Sequence, residues 1–443
     1  MDQKLTEGSV GRTLLRFSLP FLLSCFLQTF YGMADLYIIG QFCKVESTTA
    51  VSIGSQVMHM LTVMILGLNM GTVVVIGQST GGGNREKITR ALGTSATLFA
   101  ALAAVLTLGL LLGVGGIINI MSTPEKAIPG TRSYLILCFL GIPFIVAYNT
   151  LSSIFRGLGD SRSPMYIVAA ACLMNIGLDY LLIGGLDLGP AGAALGTVLS
   201  QGASVALALF FLPGRKELRL CRRDLKPDRE ILGSVLKIGL PVALQDGFIQ
   251  VAFIVVTIFA NLRGLEDAAA VGIVEKLIGL LFLVPSAMLQ SVSALSAQNI
   301  GAGKPDRARK TLGYACLITL IWGLGAVVLM HFQSEAIIGR FTASPRVTEL
   351  GCQYMKGYVW DCLFAGIHFS FSGFFCAWGH SGLSFLHNAV SIVGVRLPLS
   401  YWAARYARDS LFPMGLASTT GSALSVLICL GAYLWLRKKT SAS

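Results

Sequence analysis

The residues of this sequence with the most chemistry to offer are carboxylates placed where water should be scarce. Asp35 stands in FYGMADLYIIG and Asp179 in NIGLDYLLI, both long apolar stretches. An aspartate at the centre of a membrane helix costs about 2.5–3.5 kcal/mol on insertion scales, so each needs a compensating role. Asn175 precedes Asp179 by four residues and shares its face if the segment is helical. Thr197 adds a hydroxyl, close to the small Ala193. Two carboxylates, an amide and a hydroxyl are all hard oxygen donors. Should they meet, desolvation and mutual repulsion make the pair a proton acceptor. Alternatively the same oxygens coordinate a small cation such as sodium. A plainer reading leaves Asp35 at the outer interface and has Asp179 hydrogen-bond a neighbour.

A second group of ionisable residues follows later: Glu275 in VGIVEKL, Asp361 in YVWDCLF and Arg396 in GVRLPL. Glu275 and Asp361 can hold a cationic substrate, or they can pair with Lys276, Lys356 or Arg396. Other chemistries find little support. The ten cysteines are scattered without a C-x-x-C, and the five histidines are dispersed without metal-ligand spacing. No compact His, Ser or metal constellation points to an enzyme. The run GQSTGGGN lacks the Gly-Lys-Ser/Thr ending of a phosphate loop, so a turn is expected there. Without a nucleotide motif, energy must come from an ion gradient or the membrane potential, and no cofactor beyond a coupling proton or sodium ion is expected.

The elements that position these residues follow from composition. Of 443 residues, 54% are apolar and 13% charged, with a mean hydropathy of +0.71. A soluble domain carries roughly 25% charged residues, so most of this surface must face lipid. The net charge of +12 is distributed unevenly. Arg12, Arg16, Arg85, Arg90, Arg156, Arg162, the 215–229 stretch, Lys304–Lys310 and Arg437–Lys439 fall on alternate connections, and the intervening ones hold few bases. That asymmetry is the positive-inside pattern; it predicts cytoplasmic termini and makes nucleic acid the weaker partner. Helices are expected near 14–40, 51–78, 91–115, 131–155, 165–185, 190–212, 232–262, 270–297, 312–332, 350–378, 383–405 and 413–436.

The sequence also repeats. Leu14–Pro20 resembles Val235–Pro241, Gly77–Asn84 resembles Ala297–Lys304, and Pro190–Gly196 resembles Pro413–Thr419, at offsets near 221. The expected fold is therefore all-α and membrane-integral. Twelve transmembrane helices form two six-helix bundles related by a pseudo-two-fold axis along the membrane normal. The expected division is 1–213, a cytoplasmic linker at 214–231, and 232–443.

On the sequences around Pro20, Asp35, FRGLGDSRSP, Asn175–Asp179 and Gln298–Asn299, the whole chain resembles the multidrug and toxic compound extrusion (MATE) family, nearer its DinF-type branch. That branch carries a Pro, a Tyr and an Asp four residues after the Tyr on its first helix, matched by Pro20, Tyr31 and Asp35. Its Asn–Asp pair is matched by Asn175 and Asp179, and its Thr eighteen residues later by Thr197. The resemblance implies antiport: a proton or sodium ion enters at Asp35, Asn175, Asp179, Thr197 and Tyr31, helix 1 bends near Pro20, and an organic, amphipathic, cationic compound leaves. The second half departs from the NorM-type branch, with Gln250 near the place of that branch's Glu and Asp246 at a different position. Gln250, Glu275 and Asp361 are the expected substrate-facing residues. A bacterial cytoplasmic membrane location, lipid and small organic molecules as partners, and monomeric action complete the expectation. Its rivals are a flippase for a lipid-linked precursor and a non-drug metabolite exporter.

Overall fold

In hydrocarbon every backbone N–H and C=O must be satisfied within the chain, and helices do this segment by segment. The computed structural model describes residues 5–211 and 226–441, and no strand occurs among them. The helices are α1 (Val10–Phe42), α2 (Val45–Gly81), α3 (Arg85–Ile120), α4 (Ile128–Leu140), α5 (Ile142–Gly157), α6 (Arg162–Asp179), α7 (Gly189–Phe211) and α8 (Arg229–Asn261). They continue as α9 (Leu265–Leu281), α10 (Leu283–Gly301), α11 (Pro305–Ile338), α12 (Pro345–Tyr358), α13 (Asp361–Ala377), α14 (Ser381–Ser391), α15 (Leu397–Tyr406) and α16 (Phe412–Ser441). Most of the expected linker, 214–225, lies outside the described residues.

Among the described residues, ten helical stretches are long and apolar enough to cross a membrane, and two bent pairs, each taken as one span, bring the number to twelve. The expected single helices at 131–155 and 350–378 are these pairs. α4 and α5 meet at 49° and α12 and α13 at 43°. At the first bend Gly141 is followed by Pro143, which has no N–H for the ladder. At the second, Cys362 N–H and Leu363 N–H donate to the carbonyls of Val359 and Trp360, a tighter i+3 pattern that starts α13 at Asp361. Several helices run beyond their apolar windows; α2 begins at Val45 rather than 51 and α3 spans 85–120 rather than 91–115. Polar terminal turns are helical too, but hydropathy alone does not report them.

The described chain forms two compact units, one built mainly from Arg16–Gly239 with Gly301–Gly303, the other from Thr6–Leu15, Leu240–Ile300 and Lys304–Ser443. In the first, α2, α4, α5 and α7 pack around Ile38, Val51, Phe99, Leu135, Phe139 and Ile142. The opening turns of α8 join it because Gly71 and Gly239 have no side chains: a Cβ at either would strike the backbone of Val235 or Leu68. In the second, α9, α11, α12, α13 and α16 surround Val271, Ile278, Leu350, Tyr354 and Met414. The GQSTGGGN run is the turn expected of it. Gly83 takes φ +67°, and the Asn84 side chain accepts from Lys87 N–H at 2.9 Å to cap α3.

Candidate functional site

α1 runs unbroken through Pro20. Proline has no N–H, so the Arg16 carbonyl loses its intrahelical partner at that turn. Ser24 Oγ donates to the Pro20 carbonyl at 3.0 Å, a back-bond that also favours bending. Four turns further on, the helix delivers Asp35, which is 6% exposed. α6 ends on Asp179, 0% exposed, and Asn175 lies one turn before it at 1%. Beyond Asp179 the chain widens into a π-helical turn, Tyr180–Gly185, in which Leu186 N–H donates to the Leu181 carbonyl at 2.9 Å. Single π-helical turns of this kind recur at functional sites.

The structure brings the four oxygen donors together. Thr197 Oγ1 on α7 donates to Asp35 Oδ2 at 3.5 Å, a long bond. Asp179 and Asn175 are the other polar neighbours of the Asp35 carboxyl. Gly196 makes room for this, since a side chain there would overlap Asp179 Oδ1. Five buried atoms nevertheless lack a hydrogen-bond partner: Asp35 Oδ1, both Asp179 oxygens and both amide atoms of Asn175. Tyr31, one turn before Asp35, neighbours Gln201 and lines a crevice with Gln28, Tyr148, Asn175 and Ser204. Only two carboxylates meet here, and no group of three or more His, Cys, Asp or Glu gathers among the described residues.

The second unit holds the later acids. Arg396 lies in another π-helical turn, Ile392–Arg396, and Nη2 donates to the Tyr358 hydroxyl at 2.9 Å. The guanidinium covers the Phe253 ring at 4.7 Å. Asp361, 1% exposed, and Glu275 are its acidic neighbours, and Glu275 Oε2 accepts from Thr257 at 3.3 Å. Lys276 and Lys356 are exposed, so Arg396 is the cation these acids face. Gln250 lies two helical turns before Thr257 on α8, half-buried, and is not among the neighbours of either acid.

One buried network was not anticipated. His387 Nε2 lies 2.9 Å from Ser372 Oγ and its Nδ1 3.2 Å from Ser425 Oγ, with the His368 ring 5.4 Å away. The signal was present in α14, where Ser384, His387, Asn388 and Ser391 follow the i, i+3, i+4, i+7 spacing of one helix face. Judging the histidines by metal spacing hid it.

These features define a multi-pass α-helical membrane protein with a buried ionisable cluster inside each of its units. The MatE family model matches the chain twice, over residues 20–181 and 241–402, the second match beginning 221 residues after the first. The chain belongs to that family, as its resemblance to MATE sequences implied. Among its relatives is the probable multidrug resistance protein YoeA of Bacillus subtilis, 27% identical over 447 residues and covering 99% of this chain and 96% of the relative. An FAD transporter of Shewanella oneidensis is 26% identical over 406 residues, 89% of this chain and 88% of the relative. The fold matches a crystal structure of MATE in the bent conformation with a TM-score of 0.92, at 21% identity and 99% coverage of both chains.

Proposed function

We propose that the chain is a secondary antiporter that expels organic, cationic and amphipathic compounds in exchange for protons or sodium ions. The observation that carries this reading is the set of five partnerless buried atoms on Asp35, Asn175 and Asp179. Four of the five are acceptors, and a buried acceptor without a donor costs free energy that a proton or a small cation removes. Asp35 and Asp179 bind the ion, Asn175 and Thr197 complete its oxygen shell, and Tyr31 connects it to the adjoining crevice. Both aspartates lie toward the helix ends remote from the basic connections, which supports ion entry from outside and cytoplasmic termini in a bacterial cytoplasmic membrane. Pro20 is the hinge of helix 1, as in the DinF-type branch. Glu275 and Asp361 are paired with Arg396, so they reach a cationic substrate only where it competes with that guanidinium, while Gln250, half-buried on α8, stays a candidate contact; one chain suffices.

The test is ethidium efflux from energised, exporter-deficient bacteria expressing the parent, Asp35→Asn or Asp179→Asn at matched membrane levels. Efflux by the parent that collapses in both variants supports the reading; variants that match the parent overturn the assigned coupling site. A second reading, a metabolite exporter, is favoured by the similarity to the FAD transporter. It gains if the parent moves flavin dinucleotide but no dye.

A further inference from the structure

Among the described residues, Arg156, Arg263 and Arg396 have buried guanidiniums, and two of them have acids nearby. Arg263 meets Asp267 at 3.2 Å, and Arg396 faces Glu275 and Asp361. Arg156, in the last turn of α5 and 2% exposed, has none among the described residues. Its Nη2 donates to Ser153 Oγ at 2.7 Å and its Nη1 to Ser152 Oγ at 3.4 Å. Phe21, the residue after Pro20, lies under the guanidinium at 4.9 Å. Cys25 and Tyr148 are its remaining electrostatic neighbours, and Nε has no partner. A planar guanidinium presents five donors in a fork that fits an oxyanion in two-point contact. Here two neutral hydroxyls and a ring satisfy only part of it. A buried charge left in that condition is strongly unfavourable unless a counter-charge arrives.

The crevice beside the coupling cluster comes nearest this residue at Tyr148, and Arg156 itself does not line it. Tyr148 lines it and lies one turn from Ser152 on the same face of α5. Its hydroxyl donates to the Pro164 carbonyl at 3.3 Å and neighbours Ser152, which also receives the long Arg156 contact. For an acidic group to reach Arg156 from this side, the crevice must widen, Tyr148 turn aside and the long Ser152 contact open.

We propose that Arg156 is the receptor for an oxyanion, phosphate or carboxylate, carried by the exported compound, so that this chain takes zwitterionic or anionic molecules as well as plain cations. The proposal rests on the exporter reading for its physiological sense, while the site itself can be tested without transport. Thermal unfolding of the purified chain would be followed during titration with inorganic diphosphate, against sodium chloride at matched ionic strength. The parent is expected to gain roughly 1–2 °C at ten times the dissociation constant. Arg156→Gln should not respond, and Arg156→Lys, which keeps the charge without the fork, should respond weakly. In cells, efflux of norfloxacin, which bears a carboxylate, should fall at least tenfold in Arg156→Gln, while efflux of ethidium, which bears no acid, stays within twofold. No diphosphate response in the parent, an unchanged response in Arg156→Gln, or equal loss of both compounds overturns the proposal. Equal loss would make Arg156 a support for Phe21 and the Pro20 turn instead. A parent that responds to diphosphate yet moves neither compound upholds the anion site and sinks the exporter reading.

Discussion

Gly196→Ala is the smallest change that should separate ion coupling from folding. A methyl at this position of α7 would sit well inside van der Waals contact of Asp179 Oδ1, with Asn175 Nδ2 at 3.5 Å beyond it. Asp179 ends α6 with no exposure, so its carboxylate has little space to retreat into. Overpacking of this kind costs about 1–3 kcal/mol. Replacing a helical glycine by alanine returns about 0.5–1 kcal/mol. The net cost to global stability is therefore about 0–2.5 kcal/mol, and the displacement falls on the proposed coupling carboxylate. If about 1–3 kcal/mol is lost specifically from the ion-bound arrangement, the apparent affinity for the driving ion falls roughly 5- to 150-fold. Gly202→Ala is the control on the same helix, because a Cβ there meets only Phe144 at an ordinary 3.8 Å. The assay is efflux by reconstituted protein as the driving proton or sodium concentration is varied, with thermal unfolding measured alongside. Gly202→Ala should keep the parent's half-saturating concentration and unfold at an equal or higher temperature. Gly196→Ala should need a much higher ion concentration while still unfolding cooperatively, with a loss of at most about 2.5 kcal/mol. A Gly196→Ala protein with the parent's ion dependence would refute the reasoning, because Asp179 would then be able to move without consequence.

Two further outcomes test other parts of the chain. Pro20→Ala restores the hydrogen bond missing at the Arg16 carbonyl and stiffens α1, so the unfolding temperature should rise while efflux falls several-fold; a variant as fast as the parent would remove Pro20 from the hinge role. Arg396→Met leaves Glu275 and Asp361 without their cation and empties the space over Phe253, for a cost of about 3–5 kcal/mol, read as a marked loss of thermal stability. Arg396→Lys should recover little of it, since an ammonium reproduces neither the stacked plane nor the fork; full recovery would reduce the cluster to simple charge balance.

What the sequence determined by itself is what depends on local rules. Twenty apolar residues in a row must cross or line a membrane, so the number of spans followed from hydropathy. The near-constant offset between LLRFSLP and VLKIGLP exposed the duplication before any coordinate was known. Asp35 and Asp179 stood out because an intramembrane carboxylate is costly wherever it packs, and the four-residue spacing of Asn175 and Asp179 already put them on one helix face. The bends at Gly141 and Val359, the two π-helical turns, and the assignment of α8's first turns to the first unit could not be read this way. Each depends on which backbone comes close to which glycine or proline, and that is settled between helices. The same holds for partners. Nothing in the spacing of Thr197 told that its hydroxyl would face Asp35, or that Lys276 and Lys356 would turn outward and leave Arg396 to the acids. Arg156 is the clearest case. In the sequence it is one base among those expected at a membrane edge, and only the packing of α5 against Phe21 of α1 buries it without a counter-charge. A charge acquires its chemistry from what is close in space, and tertiary structure alone decides that.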